Sequence, residues 1–164
     1  MKKFKLTTLW TGALFSAVIM LALSCSKENP ENPVLNESVL TSESWKVDEA
    51  IGVYGGTSLK YKRGADDNNW NRDADYFVFN KDNTGYVNDG NNARHEILRW
   101  DLKKTENKIL IEMMIYQNVG GVGYTDLVTW DNIIYRNGKL QYSEYYTDSY
   151  TSSNFHAQVV RSPK

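Results

Sequence analysis

Cysteine is almost absent from this 164-residue chain, which has only Cys25. A single cysteine excludes an internal disulfide framework and any cysteine-rich zinc site. An excess of one charge is also lacking, because 19 basic and 20 acidic side chains nearly cancel and no basic stripe is present. This balance gives no electrostatic reason to expect a nucleic-acid partner. The length is that of one compact domain.

Side chains that commonly carry catalysis are also few. The two histidines, His95 and His156, fall on different predicted strands and form no recognisable pair, so we expect them at the surface or at a rim. There is no Gly-x-Ser-x-Gly motif and no phosphate-binding glycine loop. Carboxylate pairs are available, but nothing in their spacing selects them: Glu112 with Glu144, and Asp126 with Asp131. The sequence therefore predicts a protein that is not an enzyme and has no cofactor. A hydrolase that uses two of these carboxylates is the alternative.

The longest apolar run, ALFSAVIMLAL at 13–23, follows the lysine-rich start MKKFK. It is too short to span a bilayer as a helix, but it suits the core of an export signal. The string LALSC ending at Cys25 resembles the bacterial lipoprotein signal, in which a peptidase cuts before an acylated cysteine. This resemblance implies a signal peptide at 1–24 and a lipid (palmitate) anchor on Cys25 in the bacterial outer membrane. An uncleaved anchor or an ordinary secretory signal is the alternative.

Residues 25–38 predict a flexible tether, since they are rich in proline, asparagine and glutamate and offer little to bury. The domain is expected at 39–164, beginning with a short helical turn capped by Thr41 or Ser42. Residues 54–73 form a long Gly/Asn/Asp-rich stretch, which we interpret as a flap over one end of the fold. Its alternating Asp and Asn side chains resemble a calcium loop only in part, because the required glycine and bidentate glutamate are missing.

The segment 76–87 reads as a β-hairpin. YFVF at 76–79 favours a strand, NKDNTG at 80–85 favours a turn, and a return strand begins at Tyr86. The same pattern repeats through the chain to give about eight strands and no helical period. This predicts an all-β, antiparallel up-and-down β-barrel, because closure buries the apolar faces and removes the sheet edges. A two-layer β-sandwich is the alternative.

Two local expectations concern individual strands. Alternation in HEILRWDL predicts that Leu98, Trp100 and Leu102 share the buried face. NVGGVG at 118–123 is interpreted as a flexible connection between strands.

Three segments, LTSESWKV, YFVFNKDNTGYV and ILRWDL, occur in this order along the chain. Together they resemble the lipocalin-like lipoprotein domains of Bacteroidota. The resemblance implies a small antiparallel barrel with a ligand-binding or envelope role. It extends over most of the predicted domain.

Aromatic side chains make up 13% of the sequence and suit binding surfaces, since they combine a large contact area with a polar tip. We expect five of them to frame a barrel mouth and bind a small apolar or glycan-like ligand: Trp70, Trp130, Tyr142, Tyr145 and Tyr146. The alternative is that the tryptophans fill the core. The protein would then be a structural or protein-interaction module with a partner in the cell envelope. No metal ligands are predicted.

Overall fold

The computed structural model describes residues 34–164. In this part of the chain one antiparallel sheet of nine strands closes on itself, because β1 pairs with β9 as well as with its other neighbours. The elements in chain order are α1 (Glu37–Ser42), β1 (Ser44–Tyr54), β2 (Thr57–Lys62), β3 (Tyr76–Phe79), β4 (Gly85–Asn88), β5 (Arg94–Lys104), β6 (Ile109–Val119), β7 (Val122–Arg136), β8 (Lys139–Thr147) and β9 (Asn154–Pro163). The predicted antiparallel up-and-down barrel is confirmed, and the two-layer sandwich is excluded.

β2 and β3 together occupy one position in the barrel wall. The 49–54 part of β1 pairs with β2, and the 44–46 part pairs with β3, both antiparallel. The two strands are therefore halves of one barrel strand, interrupted by residues 63–75, which we call the insertion. The nine strands fill eight positions, and an eight-strand barrel has an interior just wide enough for side chains or one small ligand.

The outer edge of β2 is covered by side chains of the insertion. The Lys60 backbone NH donates to Oδ1 of Asn69 at 2.6 Å, and the Lys62 NH donates to Oδ1 of Asn68 at 2.7 Å. The Asn69 NH in turn donates to the Lys60 carbonyl at 3.2 Å. An exposed strand edge invites pairing with other chains, and these two asparagines take the place of the missing neighbour.

Helix α1 closes the end of the barrel at which β1 begins. Leu40 of this helix is buried, and its carbonyl accepts a 2.9 Å hydrogen bond from Nε1 of the buried Trp45. The N-cap is Asn36, whose Oδ1 accepts from the Val39 NH at 2.9 Å. The prediction of a cap at Thr41 or Ser42 is therefore wrong, because these two residues end the helix.

The folded part begins earlier than the predicted boundary at residue 39. Leu35 is 1% exposed and belongs to the hydrophobic core, so the last residues of the predicted tether (25–38) pack with the barrel. The predicted signal peptide (1–24) and Cys25 lie outside the described residues.

Alternation breaks in β5, where the register with β6 shifts between Ile97 and Arg99. Ile97 and Trp100 are each 1% exposed, whereas Leu98 is 46% exposed. A β-bulge adds one residue to a strand and so moves the following side chains to the other face. The prediction that Leu98 shares the buried face with Trp100 is therefore wrong.

The predicted flexible connection at 118–123 is also wrong, because β6 and β7 stay paired up to Val119 and Val122. Only Gly120 and Gly121 lie between the strands, with φ angles of 61° and 87°. Two successive residues at positive φ form the two-residue turn that best matches the twist of a hairpin. Glycine adopts these angles without a Cβ penalty.

Candidate functional site: a polar cavity at one end of the barrel

A cavity of about 190 Å³ lies inside the barrel at the end opposite α1, near the end of β6 and the start of β7. Its apolar wall includes Phe77, Ile115 and Val128. Its polar wall carries six ionisable side chains together with Gln117: Arg72, Asp75, Asp89, His95, Asp126 and Glu144. The site is therefore a mixed polar and apolar chamber above a filled aromatic core.

Period-two alternation on β7 and β8 directs carboxylates into this chamber. On β8 the residues Leu140, Tyr142 and Glu144 are buried in turn, and on β7 Asp126 precedes the buried Val128 by two positions. Asp126 and Glu144 are only 2% and 4% exposed. The two acids thus belong to the barrel interior.

A buried arginine organises the wall beneath the cavity. Nη1 of Arg161 donates to Oδ1 of Asp75 at 2.7 Å and to the Trp45 carbonyl at 2.8 Å, and Nε donates to Oη of Tyr142 at 2.6 Å. Burial acts to lower the pKa of Arg161, but the negative charge of Asp75 and the contacts with Tyr142 outweigh it and raise that pKa. Arg161 therefore stays positively charged.

Asp75 also holds the insertion to the barrel. Nη2 of Arg72 lies 2.7 Å from Oδ2 of Asp75, while Oδ1 of the same carboxylate binds Arg161. One buried carboxylate therefore bridges two guanidinium groups, one from the insertion and one from β9. Buried charges are stable only when they are paired in this way.

Glu144 and Asp126 have different partners. Oη of Tyr142 donates to Oε2 of Glu144 at 3.2 Å, and burial holds the pKa of Tyr142 well above its usual value, so its hydroxyl keeps its proton. Asp126 accepts hydrogen bonds from Nε2 of Gln117 at 2.5 Å and from the Ser149 NH at 2.8 Å. Neither carboxylate forms an ion pair with any described residue.

The insertion crosses the mouth of the cavity. The ring of Trp70 packs against Phe155 of β9 with centroids 5.6 Å apart, and the Arg72 guanidinium lies 4.2 Å from the Trp70 ring centroid. Farther along, Nδ2 of Asn71 donates to the Gly90 carbonyl at 2.8 Å. The insertion is therefore attached to β9 on one side and to the β4–β5 turn on the other.

Replacing Gly90 with alanine is expected to loosen the insertion. A Cβ at this position would fall far inside van der Waals contact with the Asn71 carbonyl oxygen, so the insertion must move away. Hydrogen exchange measured by mass spectrometry should speed up in 63–75 while the strands β5–β8 stay protected. Asn91→Ala, an exposed change in the same turn, is the control. Unchanged exchange in the Gly90 variant would contradict this contact.

The five aromatic residues predicted at the mouth occupy four different environments. Tyr146 lines the cavity, and burial, followed by the charge of Glu144, raises its pKa so that its hydroxyl stays protonated. Trp130 and Tyr142 are buried in the core and stack on each other with centroids 4.1 Å apart. Tyr145 lies on the outer face, where its hydroxyl donates to Asp131 at 2.8 Å. Trp70 packs on Phe155 from the insertion and does not line the cavity.

Several residues of the site were missed from the sequence. Arg161 continues the buried alternation of Phe155, Ala157 and Val159 on β9, so the period-two rule would have found it. The same rule places Asp126 two positions before Val128. Arg72 and Asp75 belong to the insertion, where no periodic signal exists.

Comparison with known proteins finds no matching family model, no matching curated protein and no matching solved structure. Within residues 34–164, no group of three or more His, Cys, Asp or Glu side chains is arranged to hold a metal ion. In the same range no helix has the length and apolar character needed to cross a membrane. The resemblance to lipocalin-like lipoproteins therefore depends on the sequence segments and stays a prediction.

Proposed function

We propose that this chain is a non-enzymatic, lipid-anchored binding protein of the bacterial outer membrane, and that its barrel takes one small polar molecule in the cavity beneath the insertion. The anchor would be an acylated Cys25, as the LALSC string indicates. Placement on the periplasmic or cell-surface side would give the cavity access to small envelope solutes. The resemblance to lipocalin-like lipoproteins supports the same role.

The observation that carries this proposal is the cavity itself. Its volume of about 190 Å³ equals roughly six waters at ~30 Å³ each, whereas pockets for drug-sized ligands start at about 300 Å³. Buried polar groups such as Glu144 and Asp126 line much of its wall. The site therefore suits a small polar or glycan-like fragment better than a large apolar ligand.

Filling the cavity is expected to abolish binding. Val128→Phe adds a ring at a buried cavity wall, while Leu127→Phe adds a similar volume on the outer face of the same strand, where the side chain is 69% exposed. Native mass spectrometry of protein purified from its own membrane should show a small molecule on the wild type and on Leu127→Phe, but not on Val128→Phe. The same spectra report the acylation of Cys25.

A second candidate, a protein-interaction module of the envelope, is favoured by one observation. The centre of the barrel is filled by Trp45, Trp100 and Trp130, each at most 1% exposed. The cavity experiment separates the two candidates. If the wild type carries no small molecule and neither Val128→Phe nor Leu127→Phe differs from it, the result would favour the interaction module over the binding protein.

A further inference from the structure

We infer that the ligand of this cavity is a small organic cation, such as a primary ammonium ion, held by Glu144 with Asp126 on the neighbouring strand β7. This inference rests on the proposed function and names the chemical class that the site would accept. It follows from how charge is distributed around the cavity and from which charged groups already have partners.

The positive groups at the cavity do not balance its carboxylates. Arg72 and Arg161 share the carboxylate of Asp75, each at 2.7 Å, so these three side chains together keep one positive charge. Among the described residues, Asp89 has only His95 within ion-pair reach, at 3.4 Å. Three further carboxylates, Asp89, Asp126 and Glu144, line the cavity against that one charge, so the space has an excess of negative charge that a cation would balance. The same negative charge would repel an anionic ligand.

Glu144 is the carboxylate best placed to bind such a cation. It is 4% exposed and lines the cavity. Its only hydrogen bond among the described residues comes from the neutral Tyr142 hydroxyl to Oε2, so Oε1 is left without a protein partner. A buried carboxylate is stable only when it is paired or well hydrogen-bonded. An ammonium donor in the cavity would supply the missing partner through a charge-assisted hydrogen bond.

Neighbouring groups complete a cation site. Asp126 carries a second charge on β7, although both of its oxygens already accept hydrogen bonds, from Gln117 and from Ser149. The ring of Tyr146 also lines the space, and aromatic faces attract ammonium groups within about 6 Å of the ring centroid. Phe77 lines the space as well, but the Arg161 guanidinium already lies over its ring. Carboxylates together with an aromatic ring favour an amine over a neutral molecule of the same size.

The test compares two probes of equal size, 4-aminobutanol and 1,4-butanediol, which differ in the ammonium group. Isothermal titration calorimetry uses the full-length lipidated protein in detergent. We expect 4-aminobutanol to bind at least tenfold more tightly than the diol. Glu144→Gln should remove this preference, because it keeps the shape and the oxygen acceptor but not the charge. Glu112→Gln, which changes an outward-facing glutamate paired with Lys103, should keep it.

Thermal unfolding of both variants confirms that they are folded before binding is compared. Equal binding of the two probes, no binding of 4-aminobutanol at millimolar concentration, or an undiminished preference in Glu144→Gln would overturn the cation inference. A different result would contradict the proposed function: native mass spectrometry would find no small molecule on the wild type and no difference between the wild type and Val128→Phe. A neutral molecule that is displaced by Val128→Phe would leave the binding function in place and reject the cation.

Discussion

Arg161→Met should destabilise the protein by about 3–5 kcal/mol, the cost of removing one partner of a buried ion pair. The change leaves Asp75 with Arg72 alone and takes hydrogen bonds from the Trp45 carbonyl and from Tyr142. Urea denaturation followed by tryptophan fluorescence measures the loss. Arg99→Met is the control, since that side chain is 68% exposed and its pair with Asp101 lies in solvent. It should change stability by no more than ~0.5 kcal/mol.

A double variant tests the mechanism behind this loss. If the cost comes from an inadequately paired carboxylate, Asp75→Asn added to Arg161→Met should recover part of the stability. No recovery would mean that Arg161 acts mainly through its packing on Phe77, over whose ring its guanidinium lies at 4.5 Å. A loss below about 1 kcal/mol in the single variant would contradict the network altogether.

Trp130→Ala is expected to cost about 3–5 kcal/mol, as for other large-to-small changes in a packed core. Its indole is fully buried, stacks on Tyr142 and makes edge contacts with Phe77 and Phe79. At a barrel mouth, where the sequence analysis places Trp130, the same substitution would weaken binding and leave the fold intact. The structure instead makes it a stability variant, and the urea midpoint measures the effect.

Trp70→Ala is the matched control for that substitution. Trp70 is only half-buried and contacts the barrel through Phe155, so its loss should cost roughly 1 kcal/mol. Similar losses at both positions would show that the insertion contributes as much to stability as the core does. A small loss at Trp130 would contradict the filled barrel.

Alternation along the strands predicted the barrel and much of its lining. On β8, alternation puts Leu140, Tyr142, Glu144 and Tyr146 on one face, and all four face inward in the structure. What this pattern could not supply was the environment of Glu144. A carboxylate on a strand is usually solvated, and only the closure of the barrel wall buries this one.

The predictions from the sequence that proved wrong or incomplete have separate physical causes. Leu98 is exposed because a β-bulge at that point reverses which side chains of the strand face the core. The alternation of apolar and polar residues does not reveal where a bulge occurs. Tyr145 was grouped with Tyr142 and Tyr146, although adjacent residues on a strand point to opposite faces. The pairing of Asp75 with two arginines joins residues far apart in sequence, so local patterns could not reveal it.

The break between β2 and β3 has a consequence for how such a protein can diversify. Because β1 holds both halves of the divided strand, the wall remains continuous whatever length of chain leaves and returns between them. An exchange of the loop that keeps Asp75, the buried partner of Arg161, could therefore leave the closed wall intact, while other groups that reach the cavity would change. The barrel wall would then keep its shape while the loop determines which side chains line the cavity.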